Sequence, residues 1–291
     1  MKLMRVGAAG AERPAALVDR PDGGTELLDL SSIVDDITAE TLAPAVLALI
    51  AERVASGELG TLPNGQRIGA PLARIGKIVC VGLNYREHAA EAGLPIPDEP
   101  ILFMKASDTV VGPDDEVRVP RGSVKTDYEV ELAVVIGRTA RYLDPDDNPL
   151  NYVAGYAISN DVSEREFQME RGGQWDKGKN CETFNPFGPW IVTADEVGDP
   201  QALTLGSSVN GEVRQNSTTA DMIFPVAELV RYISQFMTLY PGDVINTGTP
   251  QGVGAGFDPP RFVHAGDVVD VTIERLGTQR QQFVDGVGAH S

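Results

Sequence analysis

A chain of 291 residues, 42% of them apolar, can bury a full core and can hold one large domain or a small one joined to a large one. Lys and Arg number 24 against 42 Asp and Glu, a net charge of −18 that repels nucleic acid and anionic membrane. Neither is an expected partner, and an anionic substrate must be met by locally placed cations.

The two cysteines, Cys80 and Cys181, form neither a disulfide framework nor a metal-ligand spacing, which fits a reducing interior and points to the cytoplasm. The charged start Met1 to Arg5 is followed by Glu12 and Arg13 before any signal-type apolar region forms. The longest apolar run, Leu42 to Ala51, is too short to span a bilayer.

In chain order, the first segment reads as short strands and one helix, ending in the turn-rich Gly69-Ala70-Pro71. This places a domain boundary near residue 75, with a small N-terminal domain over 1–75 and the main domain over 76–291. The β-branched run Lys77 to Gly82 predicts a strand, and Tyr85 to Ala92 a short helix stopped by Gly93 and Pro95. A Pro-rich loop, Pro95 to Pro100, precedes predicted strands at Ile101 to Met104, Val117 to Val119, Tyr128 to Ile136 and Tyr156 to Ser159.

Ser163 with Glu166 has the spacing of a capping box that starts a helix through Met169. Asn210-Gly211 predicts a type I′ hairpin, and Val226, Leu229, Val230, Ile233 and Met237 predict an amphipathic helix. Val268 to Glu274 is a last alternating strand. Strands outnumber helices and do not alternate with them, so the fold class is α+β, a strand-rich barrel or roll.

Glu129 and Glu131 stand two apart in a predicted strand, so both carboxylates emerge on one face, which continues as Ala133 and Val135. An acidic face that runs into a core demands a cation or a proton; the competing reading is a solvated strand face. Asp161, at the end of a strand-like segment, is either a third ligand or a helix cap. Three carboxylates without Cys or paired His would suit a hard ion, Mg²⁺ or alternatively Mn²⁺.

Of three histidines, His290 lies in the tail and His264 precedes a turn, which leaves His88 as the base suited to neutral pH. Glu91, three residues on, shares its helix face and can orient the imidazole, although a plain surface pair has the same spacing. Lys179 reads as a site cation or a loop lysine, and Arg165 with Gln168 as substrate clamps or surface residues. The segment Thr247-Gly248-Thr249 lacks the Gly-Lys-Ser/Thr of a phosphate loop; it reads as a turn presenting N–H groups to a carboxylate, or as a tight strand-end turn.

Seven fragments in order, over about residues 75 to 275, resemble the fumarylacetoacetate hydrolase family. They are Gly82-Leu83-Asn84-Tyr85 with His88 and Glu91, Leu102 to Lys105, Asp127 to Leu132, Asn160 to Ser163 with Arg165 and Gln168, Gly178-Lys179, Pro186 to Pro189, and Pro241-Gly242-Asp243 leading into Thr247-Gly248-Thr249. The resemblance implies a β-roll catalytic domain behind a small N-terminal α/β domain, commonly as a homodimer. It also implies Mg²⁺ on Glu129, Glu131 and Asp161, a water-activating His88–Glu91 dyad on a mobile lid, and Lys179 beside the developing oxyanion. Arg86, Lys105, Arg165, Gln168, Gly248 and Thr249 are the candidate substrate contacts.

Glu166 stands where many members carry Asp, and Asn180-Cys181 replaces a frequent Ser-Phe. The stretch Gln174 to Lys179 looks like the branch of acylpyruvate and 2,4-diketo-3-deoxy sugar-acid hydrolases, often labelled ureidoglycolate lyase. The implied reaction is Mg²⁺-dependent hydrolysis of a C–C bond in a small anionic 2,4-diketo acid, giving pyruvate and a carboxylic acid. Oxaloacetate decarboxylation or 2-hydroxyhepta-2,4-diene-1,7-dioate isomerisation on the same site are the close alternatives, and a non-catalytic metal-binding protein is the remote one.

Overall fold

The computed structural model describes residues 1–20 and 23–286; His290 lies outside the described residues. No described helix is long and apolar enough to cross a membrane. Among the described residues the chain forms a 12-stranded sheet and a five-stranded sheet, with a short two-stranded ladder between Thr126–Asp127 and Ser163–Glu164.

The large sheet runs from the N-terminal strands through Lys2–Val6 to Asn185–Thr193, Val153–Asn160, Val130–Ile136, Val244–Asn246, Ile78–Gly82 and Ile101–Lys105. The five-stranded sheet contains Thr204–Val209, Glu212–Thr218, Val268–Ile273 and Gly277–Asp285, edged by Val117–Val119. The large sheet therefore joins the N-terminal strands and the later ones through a single pairing, Leu3 opposite Ile191 and Lys2 opposite Val192.

Both faces of the strand Val130–Ile136 are buried, and its alternation assigns them to two different cores. Val130, Leu132, Val134 and Ile136 pack toward the five-stranded sheet with Val269, Val271 and Phe283. Ala133 and Val135 pack on the opposite face with Ile78, Cys80, Ala157 and Phe187. Glu131 belongs to that second face, so its carboxylate enters a core, as the apolar continuation of the strand predicts.

The strand begins at Val130 rather than Tyr128 because side chains take the preceding amides. Asp127 accepts from Tyr128 N at 2.9 Å and Asn160 from Glu129 N at 3.0 Å. Asn210 and Gly211 have φ of 51° and 80°, the two positive values that a type I′ hairpin needs. The amphipathic helix spans Val226–Ser234, and Met237 packs on the core from beyond its end.

The capping box is not formed. Ser163 and Glu164 are drawn into the two-stranded ladder, the Ser163 hydroxyl donates to Asp161 O, and Glu164 rather than Glu166 accepts from the Phe167 amide at 2.9 Å. The next element is a π-helical turn, Glu166–Glu170, whose entry residue Arg165 makes no side-chain cap.

The helix Arg86–Glu91 has six residues, too short to persist alone in water, and is tied down at its entry by Asn84. The Asn84 amide donates to Thr247 O at 2.8 Å and Phe224 O at 3.1 Å, while its oxygen accepts from Phe224 N at 2.9 Å. Replacing Asn84 by Ala leaves these buried backbone groups without partners, a loss of about 2–4 kcal/mol. Urea unfolding of Asn84→Ala should show a lowered midpoint of that size, and an unchanged midpoint would show that these bonds do not hold the segment.

Candidate active site

Strand register builds the acidic cluster. Glu131 pairs with Ser159 and Val130 with Asn160, so the antiparallel ladder sets Asp161 opposite Glu129, where its amide donates to Glu129 O at 3.0 Å. Glu129, Glu131 and Asp161 thus share one face at one end of the ladder, are buried, and have carboxylate oxygens that lie within 4.8 Å of one another.

Three cations are packed against them. Lys179 Nζ lies 2.7 Å from Glu129 Oε2 and 3.0 Å from Asp161 Oδ2, and Lys105 Nζ lies 2.6 Å from Asp161 Oδ1. Arg165 pairs with Glu129 Oε1 at 2.7 Å through Nη2 and with Asp127 Oδ2 at 2.8 Å through Nε. Glu131 has no ion-pair partner among the described residues; Gly248 N donates to its Oε2 at 2.9 Å.

The titration behaviour follows from this division. Burial alone would raise the Glu129 carboxyl, but Lys179 and Arg165 outweigh it and hold it at about 2. Glu131 is pushed well above the ordinary carboxylate range, first by burial and then by the charges of Asp161 and Glu129. Burial would lower the Lys179 ammonium, yet Asp161 and Glu129 keep it above its usual value. Hard oxygen donors around one uncompensated charge fit a hard divalent ion, held by Glu129, Glu131 and Asp161.

On the facing element, His88 Nδ1 lies 3.0 Å from Glu91 Oε2. The other carboxylate oxygen of Glu91 accepts from Gly252 N at 2.8 Å, and a Cβ on Gly256 would lie 2.4 Å from the Glu91 carboxyl carbon. The glycine turn therefore fixes Glu91, and Glu91 fixes His88 with Nε2 left for chemistry.

A cavity of about 180 Å³ brings His88, Glu129, Glu131, Arg165, Gln168, Lys179 and Thr249 together. Arg86, Glu91, Lys105, Asp161 and Gly248 do not line it. Arg86 donates to the carbonyls of Asp221 and Met222, anchoring the short helix. Lys105 is fully buried between Asp161 and Val162 O, and the Gly248 amide serves the protein's own Glu131 rather than a ligand carboxylate.

Sequence reasoning left Asp127 and Trp175 without roles. Asp127 holds Arg165 and accepts from Gly254 N at 2.6 Å and Ala255 N at 3.0 Å, joining the metal side to the glycine turn. The two-residue spacing Asp127, Glu129, Glu131 carried that signal.

The profile described as Fumarylacetoacetate (FAA) hydrolase C-terminal matches residues 77–284. The chain belongs to the fumarylacetoacetate hydrolase family. A Burkholderia lata protein, whose name gives it only a provisional hydrolase role, is 50% identical over 289 residues, covering 98% of this chain and 99% of its own length.

Two solved structures show the range of family chemistry. Maleylpyruvate hydrolase from Sphingobium sp. SYK-6, in complex with manganese(II) ion and pyruvate, superposes with a TM-score of 0.80 at 28% identity, covering 98% of this chain and 100% of that one. The 2-hydroxyhepta-2,4-diene-1,7-dioate isomerase from Mycobacterium marinum superposes with a TM-score of 0.75 at 32% identity, covering 99% of this chain and 100% of that one.

Glu131→Gln should be inactive and bind divalent metal weakly while keeping the fold. A carboxyl whose folded pKa is raised adds stability that is present below its unfolded value, about 4.5, and lost as pH rises toward the folded one. In chelator, Glu131→Gln should therefore melt a few degrees above the parent protein at pH 8, with the gap closing toward pH 5. An equal gap at both pH values would mean that Glu131 is not the strained charge.

Proposed function

We propose that this protein is a Mg²⁺-dependent hydrolase that cleaves a 2,4-diketo acid at the C3–C4 bond into pyruvate and a carboxylic acid. The observation that carries the reading is that His88, held 3.0 Å from Glu91, lines the same cavity as Glu129, Glu131 and Lys179. Bound at the three carboxylates, the metal would supply Lewis acidity toward the 2-keto acid end of the substrate.

The remaining work falls to side chains. Glu91 accepts from His88 Nδ1–H, so Nε2 is the basic nitrogen; it takes a proton from water, and the hydroxide adds to the C4 carbonyl. Lys179 Nζ, oriented by Glu129 and Asp161, can donate to the oxyanion charge that develops on the pyruvate half. When the C3–C4 bond breaks, its electron pair leaves as pyruvate enolate, which the proton held on His88 can quench at C3. Both products leave as anions.

Oxaloacetate decarboxylation and keto–enol isomerisation use the metal and Lys179 but no activated water, and the Mycobacterium marinum isomerase keeps isomerisation as the second reading. A split between the two kinds of reaction separates them. His88→Ala should lose acylpyruvate hydrolysis by roughly a hundredfold or more, the usual general-base contribution, while oxaloacetate decarboxylation falls far less. Equal loss of both would assign His88 to shaping the cavity rather than to activating water.

A further inference from the structure

The cavity has two walls of opposite chemistry. Glu129, Glu131 and Lys179 make one; Leu83, Leu94, Ile101, Phe103 and Trp175 make the other. The apolar wall is continuous: Ile101 pairs with Gly82 across the sheet edge, and Trp175 meets Phe103 edge-on with ring centroids 5.6 Å apart. Gly82 permits this, since a Cβ there would lie 2.5 Å from the Trp175 ring. Lys179 Nζ, 5.1 Å from the Phe103 ring centre, marks where the walls meet.

The groups of the cavity that could meet an anion are all held toward its acidic wall. Arg165 is held by Asp127 and Glu129, Lys179 by Glu129 and Asp161, and His88 by Glu91. A second carboxylate on the far side of a bound 2-keto acid would meet leucine, isoleucine and aromatic rings, in a protein of net charge −18. Leu94 and Ile101 stand at the exposed mouth, while Leu83, Phe103 and Trp175 are half-buried; against these inner side chains a carboxylate gives up hydration without gaining a partner, whereas a methylene gains about tenfold or more in selectivity.

We propose that the apolar wall is the subsite for the acyl group of the substrate, that it selects uncharged alkyl or aryl groups over carboxylate-bearing ones, and that Trp175 is its specificity-determining residue. The assignment rests on the 2,4-diketo acid reading above and names the acyl half that reading leaves open. It separates this chain from the Sphingobium relative, whose named substrate, maleylpyruvate, carries two carboxylates.

The test uses binding first, so that it does not depend on turnover. Mn²⁺-loaded protein is titrated calorimetrically with 2-oxoheptanoate and 2-oxoheptanedioate, which differ only in a terminal methyl or carboxylate. The monoacid should bind at least about tenfold more tightly. Trp175→Ala should reduce that ratio to about threefold or less, and Trp175→Phe should keep most of it.

In parallel, kcat/KM for butyrylpyruvate should exceed that for succinylpyruvate by a similar factor. Equal or tighter binding of the diacid to the parent protein, or a ratio unchanged in Trp175→Ala, overturns the subsite. If the binding ratios hold while neither acylpyruvate is cleaved, the subsite stands and the hydrolase reading falls.

Discussion

Three carboxylates share one buried corner of this protein, and their mutual repulsion is the constraint that the surrounding structure answers. With Asp127 they make four buried negative charges, against which Lys105, Arg165 and Lys179 supply three positive ones. Glu131 is left over, opposed by Asp161 and Glu129 and met by one amide N–H. A buried charge without a partner is too costly for a stable fold unless a proton or a metal ion completes it. The same deficit that strains the metal-free protein is what makes the corner a cation site.

Rigidity and reach are divided between elements. Antiparallel pairing fixes the carboxylates, because moving Asp161 from its place opposite Glu129 would slip the whole register of two fully buried strands. His88 instead sits on a six-residue helix whose position depends on Asn84, Arg86 and the contact of Glu91 with the glycine turn. Asp127 couples the two halves, since it holds Arg165 with one oxygen and shares the amides of Gly254 and Ala255 between both. Catalytic geometry here is a property of sheet register on one side and of backbone N–H groups on the other.

Much of the site is legible in the sequence. Two-residue spacing puts Glu129 and Glu131 on one face, three-residue spacing pairs His88 with Glu91, and the apolar continuation through Ala133 and Val135 marks the face as buried. Asp161 is readable as a strand end, but its position opposite Glu129 depends on a pairing register that local sequence does not encode. Arg86, Lys105 and Gly248 share the chemistry of substrate contacts, yet the fold commits them to Asp221 and Met222 carbonyls, Asp161 and Glu131. The Ser163–Glu166 cap fails for a similar reason: pairing with Thr126 and Asp127 claims Ser163 and Glu164 first. Local patterns assign a residue its chemistry, and long-range partners decide where that chemistry is used.

The central claim is that Glu129, Glu131 and Asp161 jointly hold one divalent ion facing His88 and Lys179. Crystals grown with Mn²⁺ and oxalate, measured at the manganese absorption edge, test it directly. The account predicts one strong anomalous peak bonded to an oxygen of each of the three carboxylates, with oxalate on its cavity side near Lys179. A peak elsewhere, or one that Glu131 does not touch, would contradict it.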